Sequence, residues 1–258
     1  MRFRTRAALL AVVLLAAGPA LSGCRGPLFG RPYEYEEDLT LNLDGSATLV
    51  VNASVPALVV LRGLDLPASR MARLDRVKVR ELYTSPYAEV LRVNEWVRDG
   101  RRFVGVRLGV PDVRNLPKAR PFSWSTYTLV PAAGQHVFTE RVGASAFRPG
   151  TLGNVGWKGD ELVAFRLHLP SRITFHNARQ FDTNEPRSVE RGNILTWEQR
   201  LTDRLDGVPV EITVRMDSES ILYRTLWLFA GAFTAAVLVL GLLIWLTVRR
   251  GARAEQQT

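Results

Sequence analysis

Among its 258 residues the sequence has a single cysteine, Cys24, and only three histidines, His136, His168 and His176. One thiol cannot close an intrachain disulfide, so a small cross-linked secreted scaffold is excluded. No two histidines have the spacing of a zinc pair such as H-E-x-x-H, and each lies in strand-like surroundings where a structural histidine is the expectation. The motifs of common enzyme classes are missing as well. Gly143-Ala144-Ser145-Ala146-Phe147 lacks the final glycine of a nucleophile elbow. Gly150, Gly153 and Gly156 lack the first spacing of a dinucleotide fingerprint, and the phosphate-binding pattern G-x-x-x-x-G-K-[ST] does not occur. Glu36, Glu37 and Asp38 are adjacent carboxylates, but in an alternating strand they point to both faces. Glu198, Asp203 and Asp206 cluster near a turn, where such residues are ordinary. No catalytic residue, cofactor or metal is assigned, and the chain is expected not to be an enzyme.

Long apolar runs are confined to the two ends. The first 24 residues carry arginines, then an apolar run, then small residues, which is the plan of a secretory signal. Leu21-Ser22-Gly23-Cys24 matches the bacterial lipoprotein box, in which the cysteine thiol receives a diacylglyceryl group and the bond before it is cut. Small residues at 22 and 23 let the backbone enter a peptidase cleft, and cysteine supplies the thiolate nucleophile. The alternative is an uncleaved signal anchor with Cys24 a bystander, but the apolar run is short for a bilayer span of ~30 Å. Cys24 is therefore the one site residue named, as a lipidation site, and two acyl chains would suffice for stable anchoring.

The second run, Leu226 to Val248, has no charged residue. At ~1.5 Å per residue it measures ~34 Å, enough to cross a bilayer. Trp227 and Trp245 lie about 27 Å apart along the axis, where interfacial aromatics belong. Arg249, Arg250 and Arg253 follow at once and place the tail in the cytoplasm and the domain outside. The expected organisation is a signal peptide at 1–23, a lipidated tether at 24–32, an extracytoplasmic domain at 33–223, a transmembrane helix at 226–248 and a cytoplasmic basic tail at 249–258. Localisation is expected at the bacterial inner membrane.

The net charge of +9 suggests nucleic acid at first sight. Removing the leader and tail arginines leaves 28 basic and 24 acidic residues between Cys24 and Thr225, and an exported domain meets no genome. No nucleic-acid partner is expected. The remaining excess is local: Arg62 to Arg120 holds 14 basic and 7 acidic residues. Such a stretch reads either as a face for anionic lipid or envelope polymer or as an ordinary solvated face.

Between the apolar ends the pattern is mostly period two. Leu39, Leu41 and Leu43 alternate before Asp44-Gly45, and Ala47, Leu49 and Val51 alternate after it, a hairpin signal. Asp99-Gly100 and Ala133-Gly134 mark two more hairpins. Leu162 to Leu169, Ile173 to Asn177, Asn193 to Trp197 and Val208 to Met216 supply further strands. Pro56 to Leu64 reads as a short helix. Pro67 to Leu82 has helical spacing, with a strand from Val77 as the alternative, and Asp112 to Ala119 reads as a loop or short helix. The sum is α+β, a mainly antiparallel sheet with one or two packed helices, plus the C-terminal transmembrane helix. Gly143 to Asp160 is the longest expected loop; its glycines either admit a ligand to the backbone or simply connect strands.

The plan of lipobox cysteine, exported domain, terminal helix and basic tail resembles LppM-like bacterial envelope lipoproteins. The local matches are Asp38-Leu39-Thr40-Leu41-Asn42-Leu43-Asp44-Gly45-Ser46-Ala47, His168-Leu169-Pro170-Ser171-Arg172-Ile173 followed by Asn177, Leu195-Thr196-Trp197, and Val210 to Met216. They are fold-forming patterns and carry over no site residue except Cys24. The resemblance implies an envelope-facing role, with lipid or lipoglycan as the leading ligand. Three readings of the domain follow: binding of a lipid, glycolipid or envelope protein; an accessory subunit docked on a membrane complex; or, least favoured, a hydrolase without a recognisable motif.

Overall fold

The structure is a computed structural model that describes residues 33–69, 73–148, 150 and 152–255. The leader, the lipobox with Cys24 and the tether lie outside the described residues. Among the described residues ten strands make two sheets. One has six strands in the order β3-β4-β2-β1-β7-β9 and the other has four in the order β5-β6-β10-β8. In the first, β1 (Tyr33–Leu41), β2 (Ala47–Ser54), β3 (Glu89–Arg98) and β4 (Arg101–Val110) join β7 (Leu162–His168) and β9 (Ile194–Arg200). The second holds β5 (Ser125–Ala132), β6 (Gln135–Val142), β8 (Ser171–His176) and β10 (Val210–Ser220).

Alternation decides which side each strand buries. Tyr35, Leu39 and Leu41 of β1, Leu49 and Val51 of β2 and Val104, Val106 and Leu108 of β4 turn inward. They meet Leu129, Phe138, Ile212, Val214 and Met216 of the second sheet in one hydrophobic core. The hairpins form where expected. Asp99-Gly100 and Ala133-Gly134 both take positive φ at their two central residues, the twist that suits a two-residue connection. All pairings are antiparallel except β1 with β7, which run parallel from Tyr33↔Leu162 to Thr40↔His168. That pair makes β1 a central strand, and it joins segments more than a hundred residues apart, so no local pattern announces it.

Four α-helices complete the described residues. In α1 (Val55–Arg62) the Ser54 hydroxyl caps the first turn by accepting from the Ala57 amide at 3.2 Å, and Gly63 ends the helix in the left-handed region. Nearly every residue of α1 is buried, and it packs against β1, β2 and β4. In α2 (Arg76–Tyr83) Asp75 accepts from the Val77 and Lys78 amides. That cap settles the segment as helix and not strand, and buries Val79 and Tyr83. The short α3 (Leu201–Leu205) follows β9 without a break. A 3₁₀ turn occupies Val113–Lys118. Helix α4 (Ile221–Glu255) continues directly from β10. Its Ile221–Leu246 segment is long and apolar enough to cross a membrane, and none of its most apolar window is buried in the molecule.

The described residues of the Gly143–Asp160 stretch form a loop, as expected, and both ends of it are bonded into the domain. Ala146 and Phe147 amides donate to the Leu61 and Val60 carbonyls of α1. Further on, Trp157 Nε1 donates to Glu34 at 2.8 Å, and Arg101 donates to Glu34 at 3.1 Å and to the Gly156 carbonyl at 2.8 Å. The loop thus closes over a buried ion pair on the outer side of the six-stranded sheet.

Candidate functional site

Two places concentrate polar chemistry. The first is sealed between the sheets. Glu37 is the one carboxylate in the inward-facing row of β1 and is buried, while Glu36 and Asp38 turn outward to Arg166. Arg62, the last residue of α1, reaches Glu37 in an ion pair and also donates to Tyr35 Oη and the Pro121 carbonyl. Its guanidinium is 3.9 Å from the Trp124 ring centroid and 5.0 Å from that of Phe122. Burial by itself would lower the Arg62 pKa, but Glu37 and the surrounding tyrosines outweigh it and hold the guanidinium above its ordinary value. Arg204 of α3 also approaches Trp124, 5.6 Å from its centroid, and donates to the Gly143 and Val208 carbonyls. Burial, then the like charge of Arg62, lowers its pKa.

On the facing sheet Tyr127 of β5 and Glu140 of β6 are register partners on the inner face. Both are buried. Burial, then Glu37, pushes the Glu140 carboxyl well above the usual carboxylate range, while Arg62 and Tyr127 act in the opposite sense. Burial also raises the phenols of Tyr35, Tyr83 and Tyr127.

The second place is the junction between the domain and α4. Ser220 Oγ accepts from the Leu222 amide at 3.2 Å, and the Ile221 amide donates to the Pro170 carbonyl at 2.9 Å. The β7–β8 turn is in turn tied to the preceding loop of β9, with Leu169 and Asn193 exchanging bonds of 2.9 and 3.0 Å. These ties frame an open groove of about 510 Å³. Leu41, Leu169, Pro170, Ile221 and Leu222 give it an apolar wall; Asn42, Asn193 and Arg191 line its polar side. Arg191 stands exposed on a turn in which it and Gly192 both take positive φ, and it forms no ion pair with any described residue. One turn along α4, Tyr223 and Trp227 meet edge to face, their centroids 6.2 Å apart.

The sites read from the sequence fall as follows. Cys24 lies outside the described residues. His136, His168 and His176 sit on three different strands, and His168 Nε2 is 3.1 Å from Asp38 Oδ1. Burial lowers the His176 pKa. The basic Arg62–Arg120 stretch does not form one surface. Arg62 and Arg101 are buried against Glu37 and Glu34, Arg76 and Arg102 share Glu95, Lys78 meets Asp65 and Arg114 meets Asp112. Glu198 is drawn away from Asp203 and Asp206 by Arg187, at 2.6 Å, and by Tyr33. Sequence reasoning missed both places described above. The inward position of Glu37 was the available signal for the first: a carboxylate in phase with Leu39 and Leu41 must be paired or neutral.

The class these features define is an α+β domain of two packed sheets, followed by an apolar helix of membrane-spanning length. No protein-family model and no curated protein matches the sequence. Among solved structures, the NMR structure of the folded domain of the Mycobacterium tuberculosis LppM protein is similar over 75% of this chain and 95% of that one, at 12% identity and a TM-score of 0.37.

Proposed function

We propose that this protein is a membrane-anchored bacterial lipoprotein, acylated at Cys24, whose extracytoplasmic domain binds an envelope lipid without catalysis. The groove at the head of α4 is the binding site, and its position is the observation that carries the reading. If Ile221–Leu246 crosses the inner membrane with the tail in the cytoplasm, the groove lies at the depth of the outer-leaflet headgroups. Its apolar wall suits the glycerol and upper acyl region, and Arg191 suits a headgroup phosphate. An arginine near an anionic bilayer contributes about 1 kcal/mol, so reversing its charge changes the preference for anionic lipid by about 2 kcal/mol, or roughly 30-fold.

The test is native mass spectrometry of the full chain extracted from its membrane, wild type against Arg191→Glu. Lipid retained by the wild type and lost from the variant supports the reading. Arg107→Glu, on the outer face of the six-stranded sheet, should retain lipid like the wild type. Equal lipid retention in Arg191→Glu and wild type would remove the groove from consideration. A lipid-free wild type that captures a single membrane complex would favour the accessory-subunit reading instead.

A further inference from the structure

Four buried side chains each keep a polar atom with no well-formed hydrogen bond: Tyr83 Oη, Ser125 Oγ, Tyr127 Oη and Glu140 Oε1, although the Tyr127 hydroxyl lies close enough to Ser125 and to Glu140 to interact with both. Each of these residues is at least nine-tenths buried. Ser125, Tyr127 and Glu140 share the inner face of the β5–β6 hairpin, with Tyr127 directly opposite Glu140. The titratable and charged groups that act on Glu140 come from three elements: Tyr127 from β5, Glu37 from β1 and Arg62 from α1. On β10 its register partner is the apolar Ile212.

Neither nearby cation bonds Glu140. Arg62 directs its terminal nitrogens to Glu37, Tyr35 Oη and the Pro121 carbonyl, Arg204 directs its own to the Gly143 and Val208 carbonyls, and the Nε of each is left without a partner. An ionised Glu140 would be a second buried anion beside Glu37 with no cation bonded to it, a state that proteins avoid by neutralising the group. A protonated carboxyl also changes what it offers, from acceptor only to donor and acceptor. It can then donate to the hydroxyl oxygen of Tyr127 across the hairpin.

We propose that Glu140 and the hydroxyls beside it form an enclosed proton-binding site, in which Glu140 stays a neutral carboxylic acid at neutral pH and hydrogen-bonds within the Ser125–Tyr127 cluster. The proton is taken from water when the chain folds. Raising the pH until it is lost places a charge between the sheets and favours their separation, so alkaline conditions loosen the domain and acid tightens it.

The sign follows from proton counting. Above about pH 4.3, the ordinary glutamate value, the unfolded chain has released this proton and the folded one has kept it. Folding stability then falls as pH rises, and the unfolding equilibrium constant grows about tenfold per pH unit until the folded carboxyl itself titrates. The experiment is denaturant unfolding of the full chain in detergent micelles, followed by tryptophan fluorescence, wild type against Glu140→Gln. The amide is neutral at every pH. The ratio of the wild-type unfolding constant to that of the variant should climb about tenfold per unit above the glutamate range. Parallel pH profiles would overturn the proposal. If Glu140→Gln does not fold, infrared spectroscopy of the wild type with ¹³C-labelled glutamate decides. A carboxylic-acid carbonyl band at neutral pH is the expected result, and its absence refutes the site. Both measurements are independent of lipid binding at the groove.

Discussion

Replacing Arg62 by methionine tests the physics of the interior most directly. The Arg62 side chain is 1% exposed and that of its partner Glu37 is 5% exposed. Methionine fills a similar volume but withdraws the one cation that bonds Glu37 among the described residues, leaving the carboxylate the Tyr35 hydroxyl, which donates to it at 2.6 Å. Breaking a buried pair in this way costs about 3–5 kcal/mol. Loss of the guanidinium from the face of Trp124 adds to the penalty, since a desolvated cation–π contact contributes about 2 kcal/mol. A domain has about 5–15 kcal/mol in total, so the variant should sit near the edge of folding. At about 2–4 °C per kcal/mol for a domain of this size class, loss of the ion pair by itself lowers the midpoint by about 6–20 °C. The assay is thermal and denaturant unfolding of the full chain in micelles, read by the fluorescence of the tryptophans. Arg62→Lys should recover little, because a point charge cannot bond Glu37, Tyr35 and Pro121 together or stack as a plane. Glu37→Leu combined with Arg62→Met should recover much of the loss, because it removes the stranded anion. A single Arg62→Met within about 1 kcal/mol of wild type, or a double variant as unstable as the two singles summed, would refute the reasoning.

Two further outcomes are expected. Gly143→Ala should destabilise the domain by about 1–3 kcal/mol or more, because its Cβ would stand 2.5 Å from the Trp124 carbonyl oxygen, a backbone atom that cannot rotate away; unfolding midpoints check it, and an unchanged midpoint counts against the close approach. Cys24→Ala should accumulate an uncleaved precursor and abolish acyl labelling while the chain stays in the membrane through α4; mass spectrometry of the membrane fraction reads both, and normal processing would show the lipobox reading to be wrong.

The element pattern was largely legible from local chemistry. The Asp99-Gly100 and Ala133-Gly134 hairpins, α1 between Ser54 and Gly63, and the outward–inward split of Glu36, Glu37 and Asp38 follow from period, cap and turn rules that act over a few residues. The Pro67–Leu82 ambiguity between helix and strand was settled by Asp75, a cap that places the helix at Arg76–Tyr83. The apolar helix was legible because a long charge-free run has few alternatives. Less of the candidate site could be read. Arg62 looked like part of a basic stretch, and nothing in its neighbourhood says that Glu37, 25 positions earlier, and Trp124, further along still, enclose it.

Hydrophobic periodicity and turn residues, which depend only on near neighbours along the chain, were thus enough to determine the class of fold, the strand boundaries within a few residues and the presence of an apolar terminal helix, though not its extent, since the helix runs over Ile221–Glu255 and not only Leu226–Val248. The tertiary structure alone decided that β1 pairs in parallel with β7 and that Glu37 and Glu140 face a common interior. It also decided that the head of α4 borders a groove beside Arg191. The reason is physical: the energy of a buried charge or of a groove depends on which distant segments share the low-dielectric space around it, and that is a property of packing and not of any stretch of sequence.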